Sequence, residues 1–187
     1  MANRNTQGFG LIPAGTLGQT PATSGQGKYK IDAGYGTTIY QGGAVCSSAG
    51  YIVEGQGTDT PIIGALNGIF YNAATTLKPT FANFYKTPIT PANSEDVDAF
   101  VFDNPQQQYV VAIDAALAQS GYLETYDMNA SAGSDTTGRS SSTLDHDDTS
   151  ADAASFRLLR SAEDPENDEN AAFRSVVVCI NLIELQS

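Results

Sequence analysis

From Lys28 onward, apolar and polar residues alternate in short runs, each closed by glycine, proline, asparagine or aspartate. "KYKIDAG" sets Tyr29 and Ile31 against charged partners, "GTTIYQGG" contributes Ile39 and Tyr40, and "GYIVEGQG" contributes Tyr51, Ile52 and Val53 before a Gly-rich turn. Period-two alternation bounded by turn residues predicts strands. In "TPIIGALNGIFYNA" the pair Asn67-Gly68 lies between apolar flanks and predicts a hairpin turn, with Gly64 weakening the first arm. "TFANFYKTPITPANSEDVDAFVFDNP" predicts an aromatic strand through Phe81, Phe84 and Tyr85, then a Pro-containing loop. A second strand, Phe100 to Phe102, stops at Asn104-Pro105.

"QYVVAIDAALAQSGY" carries two signals: Tyr109, Val111 and Ile113 alternate as in a strand, while Ala115 to Gln119 suit a helical turn. A strand with an irregular end reconciles them. "GRSSSTLD" and "ASFRLLRSA" predict further half-buried strands. In "RSVVVCINLIELQS", Val176, Val178, Ile180 and Leu182 line one face and Val177, Cys179, Ile183 and Leu185 the other. A strand apolar on both faces belongs in the centre of a covered sheet. Roughly eight to ten strands and no convincing amphipathic helix longer than two turns predict an all-β fold, a single β-barrel or β-sandwich spanning residues 28–187. Repeats of the length that builds propellers or solenoids are absent.

Residues 1–27 follow another pattern. They hold six glycines, two prolines and one charge, Arg4, with Phe9, Leu11, Ile12 and Leu17 as isolated apolar points. Such a segment makes neither a helix nor a core of its own. It is either a loose terminus or an extended arm that orders by lying on a neighbouring subunit. Fully extended it would reach on the order of 90 Å, well beyond one domain's radius. In the arm reading, Phe9, Leu11, Ile12 and Leu17 are the partner-binding anchors, and a chain lacking residues 1–20 keeps its fold.

Charge narrows the partners. Nine Lys and Arg against 21 Asp and Glu leave a net charge of −12, which supplies no basic patch for phosphate contacts, so nucleic acid is not an expected partner. No run approaches the roughly 20 apolar residues that span a bilayer, and the opening residues lack the apolar stretch of a secretory signal; no membrane association is expected. Cys46 and Cys179 are too few for a disulfide scaffold and lack the spacing of a zinc or redox pair, which favours two free thiols.

Candidate chemistry centres on "TLDHDDTSAD", where the single histidine, His146, stands among Asp145, Asp147, Asp148 and Asp152. A helix-flanked calcium loop would require a glycine and a terminal glutamate that this stretch lacks, and zinc would require more His or Cys ligands. Nine of the 21 acids fall between Asp145 and Glu169, in connections between expected strands, so two solvated acidic loops are the simplest reading. One histidine makes a hydrolytic triad improbable, and the G-x-S-x-G, phosphate-loop and G-x-G-x-x-G patterns are absent. A glycosidase would use a carboxylate pair such as Asp147 and Glu166, but the chain lacks the tryptophan that sugar clefts commonly present. The expectation is a protein that is not an enzyme and has no cofactor and no metal.

The order "IIGALNGIFY", "DNPQQQYVVAIDAAL", "GSDTTGRSSSTLD", an acidic loop, "FRLLRSAEDPEN" and finally "VVVCINLIELQ" resembles virion structural proteins of tailed bacteriophages, over nearly the whole chain from Gly25 to Leu185. The two cysteines and the long acidic stretch depart from that pattern. The resemblance implies a head decoration or cement protein, made in the host cytoplasm and placed on the capsid surface of the virion. It would bridge neighbouring major capsid protein subunits and self-associate as a dimer or trimer on the lattice. Two other placements share the β-rich character: a tail- or neck-associated structural protein, and a host-glycan-binding attachment module.

Overall fold

Residues that alternate apolar and polar need a second layer to bury the apolar side, and this chain provides it with two antiparallel sheets packed together in a β-sandwich. The computed structural model describes residues 5–18, 25–55, 60–129, 133–147, 154–163, 165–168 and 170–186. Within them the strands are β1 (Ile12–Thr16), β2 (Gly27–Ile31), β3 (Ala44–Ser48), β4 (Tyr51–Glu54), β5 (Gly64–Asn72), β6 (Pro79–Ala82), β7 (Val97–Phe102), β8 (Gln107–Ile113), β9 (Thr125–Tyr126), β10 (Phe156–Ser161) and β11 (Arg174–Ile180). Among the described residues helix is confined to three single 3₁₀ turns. With 45% of the residues in strands and 5% in helix, the fold is all-β as the pattern predicts.

The first sheet has the order β1-β8-β11-β10-β9. Its middle strand, β11, is buried at every residue, because β8 and β10 flank it while side chains on one face enter the core between the sheets. Val176 pairs with Val111 and Val178 with Tyr109, and these join Ile113, Phe156, Leu158 and Ile180 in one hydrophobic cluster. Burying each such side chain is worth about 1.5–3 kcal/mol. The start of β11 is unusual in burying Arg174, which donates to the Leu117 carbonyl at 3.3 Å and to the Tyr122 hydroxyl, and lies 5.5 Å from the centre of the Tyr122 ring.

The second sheet has the order β2-β7-β5-β3-β4, with β6 added along β5. It curls until its end strands β2 and β4 approach each other, enclosing a second cluster of Ile31, Ile39, Val45, Ile52, Ile63, Leu66, Ile69, Tyr85, Val97, Ala99 and Val101. Adjacent residues on one strand therefore serve different cores: Ala44 and Ala65 face the first cluster, Val45 and Leu66 the second. The Tyr109 hydroxyl donates to the Phe102 carbonyl at 2.7 Å and ties the sheets together. Burial pushes that phenol far above its usual range.

Three expectations are corrected. Asn67-Gly68 is not a turn: β5 runs straight through both, and neither residue adopts the positive φ that a two-residue type I′ hairpin requires. The register shift between Leu66 and Gly68 shows instead a β-bulge, an extra residue opposite β7. "GTTIYQGG" and "GRSSSTLD" form no strands and contribute isolated bridges, Ile39 to Tyr85 and Gln41 to Arg139 among them. Their glycines and serines spend their backbone groups on irregular contacts. Conversely β3 carries no strong alternation, since Cys46, Ser47 and Ser48 lie on its outer, more exposed half.

Within the span read as an arm, residues 8–16 are seated on the sandwich. β1 extends the first sheet along β8, with Ile12 opposite Val110. Gly8 and Gly10 make that seat: a Cβ on Gly8 would lie 2.1 Å from the Ser141 carbonyl oxygen, and Gly10 holds φ +72 against Gly42 and Ser140.

Candidate functional site

The face of the second sheet that packs on the first sheet continues beyond it. Phe102 and Ala65 pack against the first core, and two positions further along the same face comes Phe100, paired with Gly68 in register. The next row across the strands is Lys30 of β2, Asp98 of β7, Phe70 of β5 and Phe81 of β6. The bulge at Asn67 sets this row. It shifts the alternation by one, so that Ile69 turns into the second core and Phe70 turns out.

Phe70 and Phe81 pack against each other with ring centroids 4.7 Å apart at an interplanar angle of 43°. Phe81 is nonetheless 74% exposed, because no described residue covers it at the β6 edge. The β5–β6 hairpin tip adds Leu77, equally exposed and holding φ +53, a left-handed conformation that costs a leucine of order 1 kcal/mol. Beside the phenylalanines, Asp98 accepts from Lys28 at 2.8 Å and Lys30 at 2.6 Å. Burial pushes the Asp98 carboxyl up, and the two lysine hydrogen bonds outweigh it, so the group lies below its usual range. Asp96 and Glu95 also lie close enough to act on Lys30, so the two lysines sit among three carboxylates.

A pocket of about 190 Å³ opens where the seated N-terminal segment meets this sheet. Phe9, Ile12, Pro13 and Phe102 supply apolar walls, and Gln41, Asn67 and Arg139 supply polar ones. The segment is held by Leu11 N–H donating to the Gly42 carbonyl at 2.7 Å and Gly10 N–H to Ser142 at 3.1 Å. Gln41 N–H donates to Gly138 at 2.9 Å and its carbonyl accepts from Ser140 at 2.9 Å, which places Arg139 beside it. The Gln41 side-chain amide donates to the Asn67 carbonyl at 3.1 Å and to Asn67 Oδ1 at 3.2 Å.

The four expected anchors separate. Leu11, 2% exposed, is part of the chain's own first core and is not offered to a neighbour. Phe9 is half-buried in the pocket wall, and Ile12 lines the same pocket while remaining 44% exposed. Leu17 is 39% exposed just past β1 and lies outside the pocket lining. The other surface features were not foreseen. Arg139 and Asn67 are 72 residues apart, and only long-range pairing unites them; the single local hint was a lone base in "TTGRSSS".

In the acidic stretch, Asp148 and Asp152 lie outside the described residues. His146 Nδ1 is 3.2 Å from Asp147 Oδ1, while its backbone N–H donates to Asp114 at 3.0 Å and the Asp147 N–H to Asp145 at 3.0 Å. The first and last of these bonds are local, and the Asp114 bond ties the segment to the end of β8. Among the described residues no group of three His, Cys, Asp or Glu side chains is placed to hold a metal ion. Asp147 and Glu166 are exposed and line no part of the pocket above. Cys46 and Cys179 are both free, and burial pushes both thiols up. Among the described residues no helix is long and apolar enough to cross a membrane.

Fold and surface together define a β-sandwich with an exposed aromatic face and an adjoining small pocket. No protein-family model, curated protein or solved structure matches the chain.

Proposed function

We propose that the chain is a structural protein of a phage head, attached to the outside of the capsid lattice and bridging neighbouring major capsid protein subunits. One observation carries the reading: the end of the second sheet where Phe81 is exposed and packs on the half-buried Phe70, with half-buried Phe100 and the Lys28–Asp98–Lys30 cluster alongside. Aromatic clusters with a charged rim are the composition of protein contact surfaces, where a few aromatic residues carry most of the binding energy. The resemblance of its segments to virion structural proteins supplies the partner.

Mechanism is mass action. A protein that binds the assembled lattice and not its separated subunits stabilises the lattice by occupying it, and copies bridging several subunits add avidity. Association costs about 4–15 kcal/mol in lost freedom, so each copy needs an interface of roughly 800 Å² on its own side. The aromatic face and the N-terminal segment beside it would contribute jointly to that area, and self-association as a dimer or trimer would multiply it.

The test is addition of the purified protein to capsids assembled without it, reading occupancy and the capsid's disruption temperature. Saturable binding across the shell with a raised disruption temperature is the expected result. A folded protein that leaves mature capsids bare overturns the reading.

A further inference from the structure

The pocket beside the aromatic face has a chemistry of its own. Its volume of about 190 Å³ fits one amino-acid side chain, whereas sites for drug-sized ligands and cofactors run to roughly 300–1,000 Å³. Its polar groups are biased toward donors. Asn67 Oδ1 already accepts from Gln41, which leaves the Asn67 side-chain N–H₂ to donate, and no described residue takes it up. Arg139 is exposed at the same wall, and no described carboxylate comes within ion-pair distance of it.

That vacancy is informative because acids outnumber bases 21 to nine in this chain. Lys28 and Lys30 share Asp98, and Lys86 lies 3.0 Å from Asp135, four residues before Arg139. The neighbouring acid has thus been given to another base, and Arg139 keeps five donors in a planar fork that matches a carboxylate. Around it, Phe9, Ile12 and Phe102 would pack the methylene stem of an acidic side chain while the head group meets the donors.

We propose that this pocket receives one Glu or Asp side chain of the partner polypeptide, anchored by Arg139 and Asn67, next to the contact made by Phe81. The inference rests on the docking reading above and names the chemistry the partner presents there.

Two measurements test it separately. In the first, the isotopically labelled full-length protein is titrated with the capped tripeptide acetyl-Ala-Glu-Ala-amide and, as control, with its Gln counterpart, following the backbone amides of Gly42 and Gly68 and the Asn67 and Arg139 side-chain signals by NMR. The Glu peptide is expected to shift these resonances saturably and the Gln peptide to leave them in place. Arg139→Gln is expected to weaken the Glu peptide by roughly ten- to a hundredfold, and Arg139→Lys to restore part of the loss. Equal shifts with both peptides, or none with either, overturn the pocket assignment. In the second, Arg139→Gln and Phe81→Ser proteins are added to capsids. Loss of occupancy in both variants supports the assignment. Undiminished binding by Arg139→Gln removes the pocket and leaves docking intact, whereas a wild-type protein that binds the Glu peptide but no capsid removes the docking reading and leaves the pocket.

Discussion

Two apolar regions of this molecule have opposite fates. In β10 and β11, Phe156, Leu158, Val176 and Val178 are shut away completely, with strands on both sides and the second sheet across the face. In β5 and β6, Phe70 and Phe81 pair as closely as any two rings among the described residues, yet Phe81 is in water. Both segments are apolar and both lie in regular antiparallel ladders. What differs is cover: β6 is paired along β5 and leaves Phe81 exposed. An apolar strand is a core element where a second layer lies over it and a contact surface where that layer stops.

The strongest way to break the contrast is to delete Asn67 and Gly68 together. With the bulge residue and its neighbour both gone, the period-two alternation counted from Leu66 sends Ile69 outward and Phe70 into the second core. The expected outcome is loss of cooperative unfolding and of near-ultraviolet circular dichroism, since every later side chain of the strand faces the wrong way. Next in size are matched truncations. Phe156→Ala should cost about 3–5 kcal/mol in urea unfolding, while Phe81→Ala should cost about 1 kcal/mol or less and act on capsid occupancy instead. Equal losses in the two variants would erase the distinction drawn here.

A smaller version of the same contrast lies between two adjacent residues near the N-terminus. Leu11→Ala should destabilise by about 2–4 kcal/mol because its side chain fills the first core, and Ile12→Ala by less than about 1 kcal/mol because its side chain is half in solvent. It follows that removing residues 1–20 strips β1 from β8 and a side chain from the core, so the truncated chain should unfold at lower urea than the full one, contrary to the expectation of a dispensable arm.

These particulars show how far the pattern could be read. "SVVVCI" announced a central strand because two-sided apolarity has one structural solution, and the all-β class followed from period-two runs with no helical stripe. Asn67-Gly68 misled because its local preference for a turn was overridden by pairing with β7, at a cost that only tertiary contacts can offset. Leu11 was assigned outward because the glycines around it signal looseness in isolation; in the fold those same glycines, Gly8 and Gly10, allow the backbone to come close enough to bury it. The pocket was illegible, since Phe9, Asn67 and Arg139 share no spacing, only a place where three distant segments cross.

The smallest expected effect concerns the charges beside the exposed rings. The Asp98 carboxyl lies below its ordinary value in the folded chain, so the folded state binds fewer protons there than the unfolded one. Its contribution to stability is therefore present above about pH 4, the ordinary carboxylate value, and is lost as pH falls through the lowered one. In a Lys28→Met, Lys30→Met protein only burial remains to act on Asp98, and burial pushes the carboxyl up, so the sign reverses and acid should no longer weaken that site. Thermal unfolding of both proteins from pH 7 down to pH 2.5 isolates this site, because the other carboxylates titrate in both and cancel in the difference. A wild-type curve that falls more steeply below pH 4 is expected; parallel curves would mean that the lysines are merely solvated neighbours. The steeper fall would also establish that both lysines hold the Asp98 carboxylate in the folded chain, at the rim of the aromatic face.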